Sequence, residues 1–178
     1  MTAGICLAVA ALSPSAADST RIMSTTLDGN YLAGGYLGGL TASKPVFVDI
    51  DNNGTPDLFV GEENGTLIFY RNIGTPTTPA WDLPETNYAG LAVSGRASPC
   101  FVDLNHDLLV DLLLGGSDGR VFYVKNIGTR EDPVWAPPLD TGIDVGENAV
   151  VTAGDINGDD RVDLVLGNAA GELTLVMN

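Results

Sequence analysis

The chain has 178 residues, of which 44% are hydrophobic, so it can bury one sizeable core and we expect a single domain. Its 23 acidic and eight basic residues give a net charge of −15. This charge repels phosphate backbones and anionic lipid surfaces, so we expect neither a nucleic-acid partner nor membrane insertion. With only two cysteines, Cys6 and Cys100, no disulfide framework is predicted.

The N-terminal residues 1–17 have some features of a signal peptide. An apolar run from Ile5 to Leu12 is followed by the small residues Ser15, Ala16 and Ala17, and the run is too short to span a bilayer. No Lys or Arg precedes Arg21, so either the true start lies upstream or this segment is not a signal. We expect a secreted or extracellular protein, with the periplasm or a cell surface as alternatives.

Residues 18–40 precede the first repeat, and we expect them to serve as a closing strand. The Gly-rich stretch LAGGYLGGL at 32–40 does not match a phosphate-binding loop, because no helix is predicted after it.

An internal repeat dominates the rest of the chain. Three 24-residue segments align without a gap: DIDNNGTPDLFVGEENGTLIFYRN from Asp49, DLNHDLLVDLLLGGSDGRVFYVKN from Asp103, and DINGDDRVDLVLGNAAGELTLVMN from Asp155. Successive copies begin 54 and 52 residues apart, a spacing typical of propeller blades. The links repeat too, since Trp81 and Trp135 each follow an Asn by nine residues.

Short apolar runs separated by Gly, Asn, Asp and Pro predict an all-β fold, and no window has helical periodicity. In the first copy we predict strands at 45–50, 57–61 and 66–71, with a weaker fourth strand around Trp81. Corresponding strands are predicted at 99–104, 112–115 and 120–125, then at 152–156, 164–167 and 173–177. The predicted units are 41–94, 95–146 and 147–178, the last of which ends before a fourth strand.

The loop after the first strand of each unit has the composition of a cation site. In the first loop, oxygen-bearing side chains occupy alternate positions, and the carbonyl of the seventh residue could join them: Asp49, Asp51, Asn53, Thr55 and Asp57. Oxygen-only donors suit calcium, which accepts six to eight ligands in irregular geometry, whereas zinc prefers His or Cys. The alternative is that these loops are ordinary surface turns, in which Asp and Asn are common. The occurrence of the pattern at the same position in all three repeats favours a metal site.

The other two loops offer comparable donors. The middle loop provides Asp103, Asn105, Asp107, Asp111 and the carbonyl of Leu109, and the third provides Asp155, Asn157, Asp159, Asp163 and the carbonyl of Arg161. Gly54 permits a left-handed backbone in the first loop, but Leu108 stands at that position in the middle one. A left-handed Leu costs about 1–2 kcal/mol, so we predict that the middle site is the weakest or bends differently. Three calcium ions would change the net charge from −15 to −9.

The pattern D-x-[DN]-x-[DN]-x-x-x-D-L-x-x-G, followed by G-x-L or G-x-V and a final Asn, resembles the FG-GAP and VCBS-like repeats of β-propellers such as integrin α-subunit heads. The resemblance covers roughly residues 40–178. It implies blades of four antiparallel strands with calcium in the loop joining the first two. No single activity follows from it.

Three repeats are too few for a closed ring, because propellers typically have four to eight blades. We expect another chain to complete the ring, with a homodimer favoured over a longer propeller or an open solenoid.

The leading functional hypothesis is a non-catalytic, calcium-stabilised module for protein recognition or adhesion. The rival is a lectin, or an accessory propeller of a polysaccharide-active enzyme, in which Trp81 and Trp135 would stack on sugars; packing between blades is the favoured role for both. His106, the only histidine, is expected to be a solvated loop residue.

Overall fold

The computed structural model describes residues 42–178, which form three antiparallel sheets. The first sheet contains β1 (Lys44–Val48), β2 (Asp57–Gly61), β3 (Leu67–Tyr70) and β4 (Glu85–Thr86). The second contains β5 (Ser98–Val102), β6 (Asp111–Gly115), β7 (Arg120–Val124) and β8 (Leu139–Asp144). The third contains β9 (Val150–Gly154), β10 (Asp163–Gly167) and β11 (Leu173–Val176).

The predicted all-β class is confirmed. Within the described range the helical structure is one short 3₁₀ turn, Tyr88–Gly90. The strands follow chain order in each sheet, and the same register recurs, as in the pairs Val48↔Asp57, Val102↔Asp111 and Gly154↔Asp163. Consequently the candidate metal-binding loop joins the first two strands of every sheet.

The sheets pack face to face through alternating side chains of their second strands. Leu112 and Leu114 lie in the cluster between the first two sheets, whereas Leu113 lies in the cluster between the second and third. All three side chains are fully buried, which explains why β6 is a continuous Leu run and does not alternate with polar residues. Each such buried Leu contributes roughly 1.5–3 kcal/mol to stability.

The glycines that end β2 and β6 permit close approach of the next sheet. A Cβ at Gly61 would lie 2.0 Å from the Ala97 carbonyl oxygen, and one at Gly115 would lie 2.4 Å from that of Ala149. Any larger residue at these two positions would therefore separate the sheets.

The predicted position of the fourth strand was wrong. Trp81 and Trp135 form only isolated bridges, to Asn72 and Asn126, while β4 and β8 begin further along the chain. The cause is local, because the Asn side chain closes the link as a separate turn. Asn72 Oδ1 accepts hydrogen bonds from the backbone N–H groups of Gly74 (3.1 Å) and Ala80 (3.2 Å), and Asn126 Oδ1 acts in the same way on its own link.

The third sheet has three strands among the described residues. The predicted signal peptide at 1–17 and the predicted closing strand at 18–40 lie outside them. No helix in the range 42–178 could cross a lipid bilayer.

Candidate metal centre

The three loops between first and second strands share one backbone fold. In each, the fourth and the sixth residue adopt a positive φ: Asn52 (53°) and Gly54 (86°), His106 (59°) and Leu108 (69°), Gly158 (80°) and Asp160 (62°). The middle loop therefore does not bend differently, and Leu108 adopts the left-handed conformation. Sequence reasoning missed the left-handed fourth position, although Asn, His and Gly are residue types that tolerate it.

The first aspartate of each loop holds the turn closed. Asp49 accepts hydrogen bonds from the backbone N–H groups of Asn53 (3.0 Å) and Gly54 (2.9 Å). The equivalent bonds recur in the other loops, to Asp103 from residues 107 and 108, and to Asp155 from residues 159 and 160. This aspartate therefore shapes the loop, whether or not it also binds metal.

The ninth aspartate joins the loop to the residue at the end of the repeat. Asp57, Asp111 and Asp163 have no exposed surface, and each accepts a hydrogen bond from the backbone N–H of the final Asn, at 2.7, 2.9 and 2.9 Å. Asp57 also accepts one from the N–H of Ile50 at 3.3 Å. Burial raises the pKa of the Asp57 carboxyl, and the nearby charges of Asp51 and Asp49 raise it further.

The first loop brings three carboxylates together. One oxygen each from Asp49, Asp51 and Asp57 lie within 4.8 Å of one another. Two ligands on opposite sides of a calcium ion, each about 2.4 Å away, would be about 4.8 Å apart, so one ion could contact all three. The cluster is thus compact enough to hold a divalent cation.

Asp51 has a buried carboxylate oxygen without a partner. Its residue is only 8% exposed, and its Oδ1 is the one buried side-chain polar atom in the described range without a hydrogen-bond partner. An unpaired buried acceptor costs about 1–3 kcal/mol, and more when it is charged. A bound cation would satisfy this oxygen, so the donor set fits a metal.

Asn53 and Thr55 are held by the loop itself. Asn53 Oδ1 accepts hydrogen bonds from the Thr55 backbone N–H (2.8 Å) and from the Thr55 hydroxyl. The buried Thr55 hydroxyl oxygen also lies 3.1 Å from the carbonyl oxygen of Asn72, so its single proton is shared between these two acceptors. This hydroxyl, which the sequence pattern did not single out, therefore links the loop to the end of β3.

The middle loop differs in how its carboxylates are satisfied. Asp107 accepts the Leu109 N–H at 3.0 Å and pairs with Lys125 Nζ at 3.2 Å. Asp111 Oδ2 accepts hydrogen bonds from Asn105 Nδ2 (3.1 Å) and from the Tyr123 hydroxyl (2.7 Å). Hydrogen-bond donors from the protein therefore already occupy these oxygens.

The third loop is satisfied from within. Arg161 donates its backbone N–H (3.0 Å) to one oxygen of Asp159 and its guanidinium (2.6 Å) to the other. Asn157 Nδ2 adds a bond at 3.0 Å, and the Arg161 and Asn157 side chains lower the pKa of Asp159 to about 2. Among residues 42–178, three carboxylates converge within 4.8 Å only in the first loop, so the corresponding groups in the other two loops are not brought together to that extent.

The aromatic residues considered for sugar stacking pack within the protein. Trp135 lies against the cluster between the first and second sheets and donates its Nε1–H to the Tyr88 hydroxyl at 3.1 Å. Trp81 packs on a cluster on the first sheet, with its ring centroid 6.4 Å from that of Phe47. His106 is exposed at its left-handed loop position.

One family model matches part of the repeat region. Residues 49–114 match the family model described as FG-GAP-like repeat, from the first loop to the penultimate residue of β6. This match confirms the predicted resemblance over those residues. A search of curated proteins found no match.

Proposed function

We propose that this chain is a calcium-binding β-propeller repeat module, in which the metal is structural and the assembled blades recognise a protein ligand. The observation that carries the proposal is the buried, unpartnered Oδ1 of Asp51, whose carboxylate clusters with those of Asp49 and Asp57. An FG-GAP-like repeat provides the context.

Calcium is the metal that best suits these donors. The cluster offers carboxylate oxygens, and neither His nor Cys belongs to it. Calcium accepts such donors in irregular arrangements, whereas magnesium requires a nearly regular octahedron. The middle and third loops are proposed as further sites, with the middle one weakest because Asp107 and Asp111 already accept hydrogen bonds and an ion pair from the protein.

A structural role follows from what the ligands connect. Asp49 lies after β1, and Asp57 begins β2 and accepts the N–H of Asn72 after β3. An ion between them would cross-link three segments of one sheet, and every clustered carboxylate would be engaged in this task. We therefore propose a non-catalytic protein that acts outside the cell, where calcium is abundant.

The outer face of the third sheet supports assembly into a larger propeller. It exposes Leu173 (78%) and Leu175 (54%), whereas the equivalent residues of the second sheet, Val121 and Tyr123, pack against the third sheet. Gly115 and Gly167 occupy the same position in the second and third sheets. A Cβ at Gly115 would lie 2.4 Å from the Ala149 carbonyl oxygen next to the third sheet, whereas the nearest atom to a Cβ at Gly167 would be in the Leu173 side chain, at 3.6 Å. We propose that a blade from a second copy of the chain covers this face, with a longer propeller as the alternative.

Two measurements on the full chain test these proposals. Calcium titration calorimetry should show binding that Asp51→Asn weakens strongly, while Glu147→Gln, which removes an exposed carboxylate outside the loops, leaves it unchanged. At calcium concentrations 100 times the Kd, the unfolding free energy should rise by about 2.7 kcal/mol. Absence of any calcium-dependent heat or stabilisation would overturn the metal proposal.

Solution mass, measured with and without a chelator, tests the assembly. A dimer that weakens when calcium is removed supports ring completion through ordered blades. A monomer at both conditions contradicts it.

A second candidate is glycan recognition, suggested by a cavity of about 260 Å³ between the first two sheets. Trp135, Tyr88 and Phe69 line it together with Asp51 and Arg71. A glycan array separates the two functions: binding that is lost in Trp135→Ala favours a sugar, and silence across the array favours a protein ligand.

A further inference from the structure

Arg71 makes an unusual contact with the cluster of three carboxylates in the first loop. It follows β3 directly, and both its Nε (2.8 Å) and its NH2 donate hydrogen bonds to the same oxygen of Asp51, Oδ2. The guanidinium thus uses two donors on one oxygen, whereas an arginine facing a free carboxylate commonly pairs with both oxygens. As a result, Oδ1 of Asp51 is left for another ligand.

The burial of the pair places Arg71 on the outside of the cluster. The Arg71 side chain is 53% exposed, whereas that of Asp51 is 7% exposed. Arg71 therefore approaches Asp51 from the solvent side and does not fill the space among the three carboxylates.

The charges of the group match a divalent cation. Asp49, Asp51 and Asp57 carry three negative charges when ionised, and Arg71 remains protonated under all physiological conditions. Their sum is −2, which one calcium ion would balance. Without Arg71 the bound site would keep a net negative charge.

The other two repeats do not have this arrangement. At the position of Arg71 they have Lys125, which pairs with the fifth loop residue Asp107, and Met177, which has no charge. Both oxygens of Asp107 accept hydrogen bonds or ion pairs, so no buried oxygen of it is left unpartnered. The arginine and the free carboxylate oxygen therefore occur together in the first repeat.

From these observations we infer that Arg71 is a positioning residue for the metal of the first loop. By holding Oδ2, it fixes the Asp51 side chain within the cluster with Asp49 and Asp57 and leaves Oδ1 without a protein partner before the ion arrives. Outer-shell partners of metal ligands typically change affinity by 10–100-fold when removed. This inference rests on the proposed calcium site and adds the residue that sets its affinity.

Calcium titration calorimetry of the full chain tests the inference with two substitutions. Arg71→Met keeps much of the side-chain length but removes the charge and all donors, and we expect at least a tenfold weaker affinity at the tightest site. Arg71→Lys keeps the charge but cannot place two N–H donors on one oxygen, so its calcium affinity should lie between those of Arg71→Met and the original chain. Lys125→Met, the matched change in the second repeat, should leave the tightest site unaltered.

A double-substitution cycle shows whether Arg71 acts through Asp51. In an Asp51→Asn background, Arg71→Met should have little further effect on calcium affinity, because the carboxylate that it positions is absent. If Arg71 had only a structural role, Arg71→Met would lower the stability of the metal-free protein and leave the calcium affinity unchanged. Urea unfolding in the presence of a chelator measures that stability.

The outcomes are distinguishable. If the original chain does not bind calcium, the proposed function fails. If it binds calcium and Arg71→Met binds equally well or more tightly, the positioning role is wrong, and tighter binding would show that Arg71 competes with the ion. Equal effects of Arg71→Met with and without Asp51 would also overturn the inference.

Discussion

The buried ninth aspartate offers the sharpest test of how the first repeat is held together. Asp57 is fully buried and accepts backbone N–H bonds from Asn72 (2.7 Å) and Ile50 (3.3 Å). Replacing it with Ala removes both acceptors and leaves two donors without partners inside the sheet. We therefore predict a large loss of stability in the metal-free protein.

The magnitude follows from the number of stranded donors. Each unsatisfied buried N–H costs about 1–3 kcal/mol, so two of them give about 2–6 kcal/mol. Burial raises the pKa of the Asp57 carboxyl, which means that removing the charge recovers part of this cost. We expect a net loss of about 2–4 kcal/mol for Asp57→Ala and roughly half of that for Asp57→Asn, which keeps one acceptor oxygen.

Asp49 serves as the matched control. It also accepts two backbone N–H bonds, from Asn53 and Gly54, but these lie in the exposed part of the loop. Water can replace its carboxylate there, so Asp49→Ala should cost about 1 kcal/mol or less. Urea unfolding in chelator measures all three variants without a contribution from bound metal. Equal losses for Asp57→Ala and Asp49→Ala, or an Asp57→Asn variant as stable as the original chain, would refute the reasoning.

Two further predictions concern the second and third sheets. Gly119 and Gly171 occupy one repeat position with φ of 83° and 81°, but a Cβ at Gly119 would lie 1.4 Å from the Gly146 carbonyl oxygen and one at Gly171 meets nothing within 4 Å. We expect Gly171→Ala to lower the free energy of unfolding by about 1 kcal/mol and Gly119→Ala to lower it by at least about 2 kcal/mol more, as measured by urea unfolding. Equal losses would contradict the close packing of these sheets. Burial and the hydrogen bond to Asp111 raise the pKa of Tyr123 to about 12, so the stability advantage over Tyr123→Phe should be constant below about pH 10 and disappear as the pH rises through about 12. An advantage that stays constant to pH 12 would show that Tyr123 has no such shift.

Much of the sheet architecture could be predicted from the residues. The start of β2 and the ends of β2, β6 and β10 agree with the predicted strands, because an Asp at the beginning and a Gly at the end punctuate short apolar runs. The fourth strands could not be placed, since the Asn72 and Asn126 side chains accept hydrogen bonds from backbone N–H groups within their own links and close these links as separate turns before the strands begin.

The type of ligand at the candidate site could be predicted from the sequence, but which of the three loops brings its carboxylates together could not. Three loops with the same donor pattern indicated three comparable sites, with the middle one compromised by Leu108. In the structure, Leu108 adopts the same left-handed conformation as Gly54, and the loops differ instead in which carboxylates already have partners. Asp107 pairs with Lys125, which follows β7, whereas Asp159 is satisfied by Arg161 and Asn157 of its own loop.

The sequence by itself determined the repeat, the strand periodicity and the type of donor, because these depend on residues close together in the chain. Only the tertiary structure decided which carboxylate oxygens are free. Arg71 lies 20 residues after Asp51 and reaches it only once β3 has paired with β2. That pairing leaves Oδ1 of Asp51 buried and unpartnered, which distinguishes the first loop from the other two.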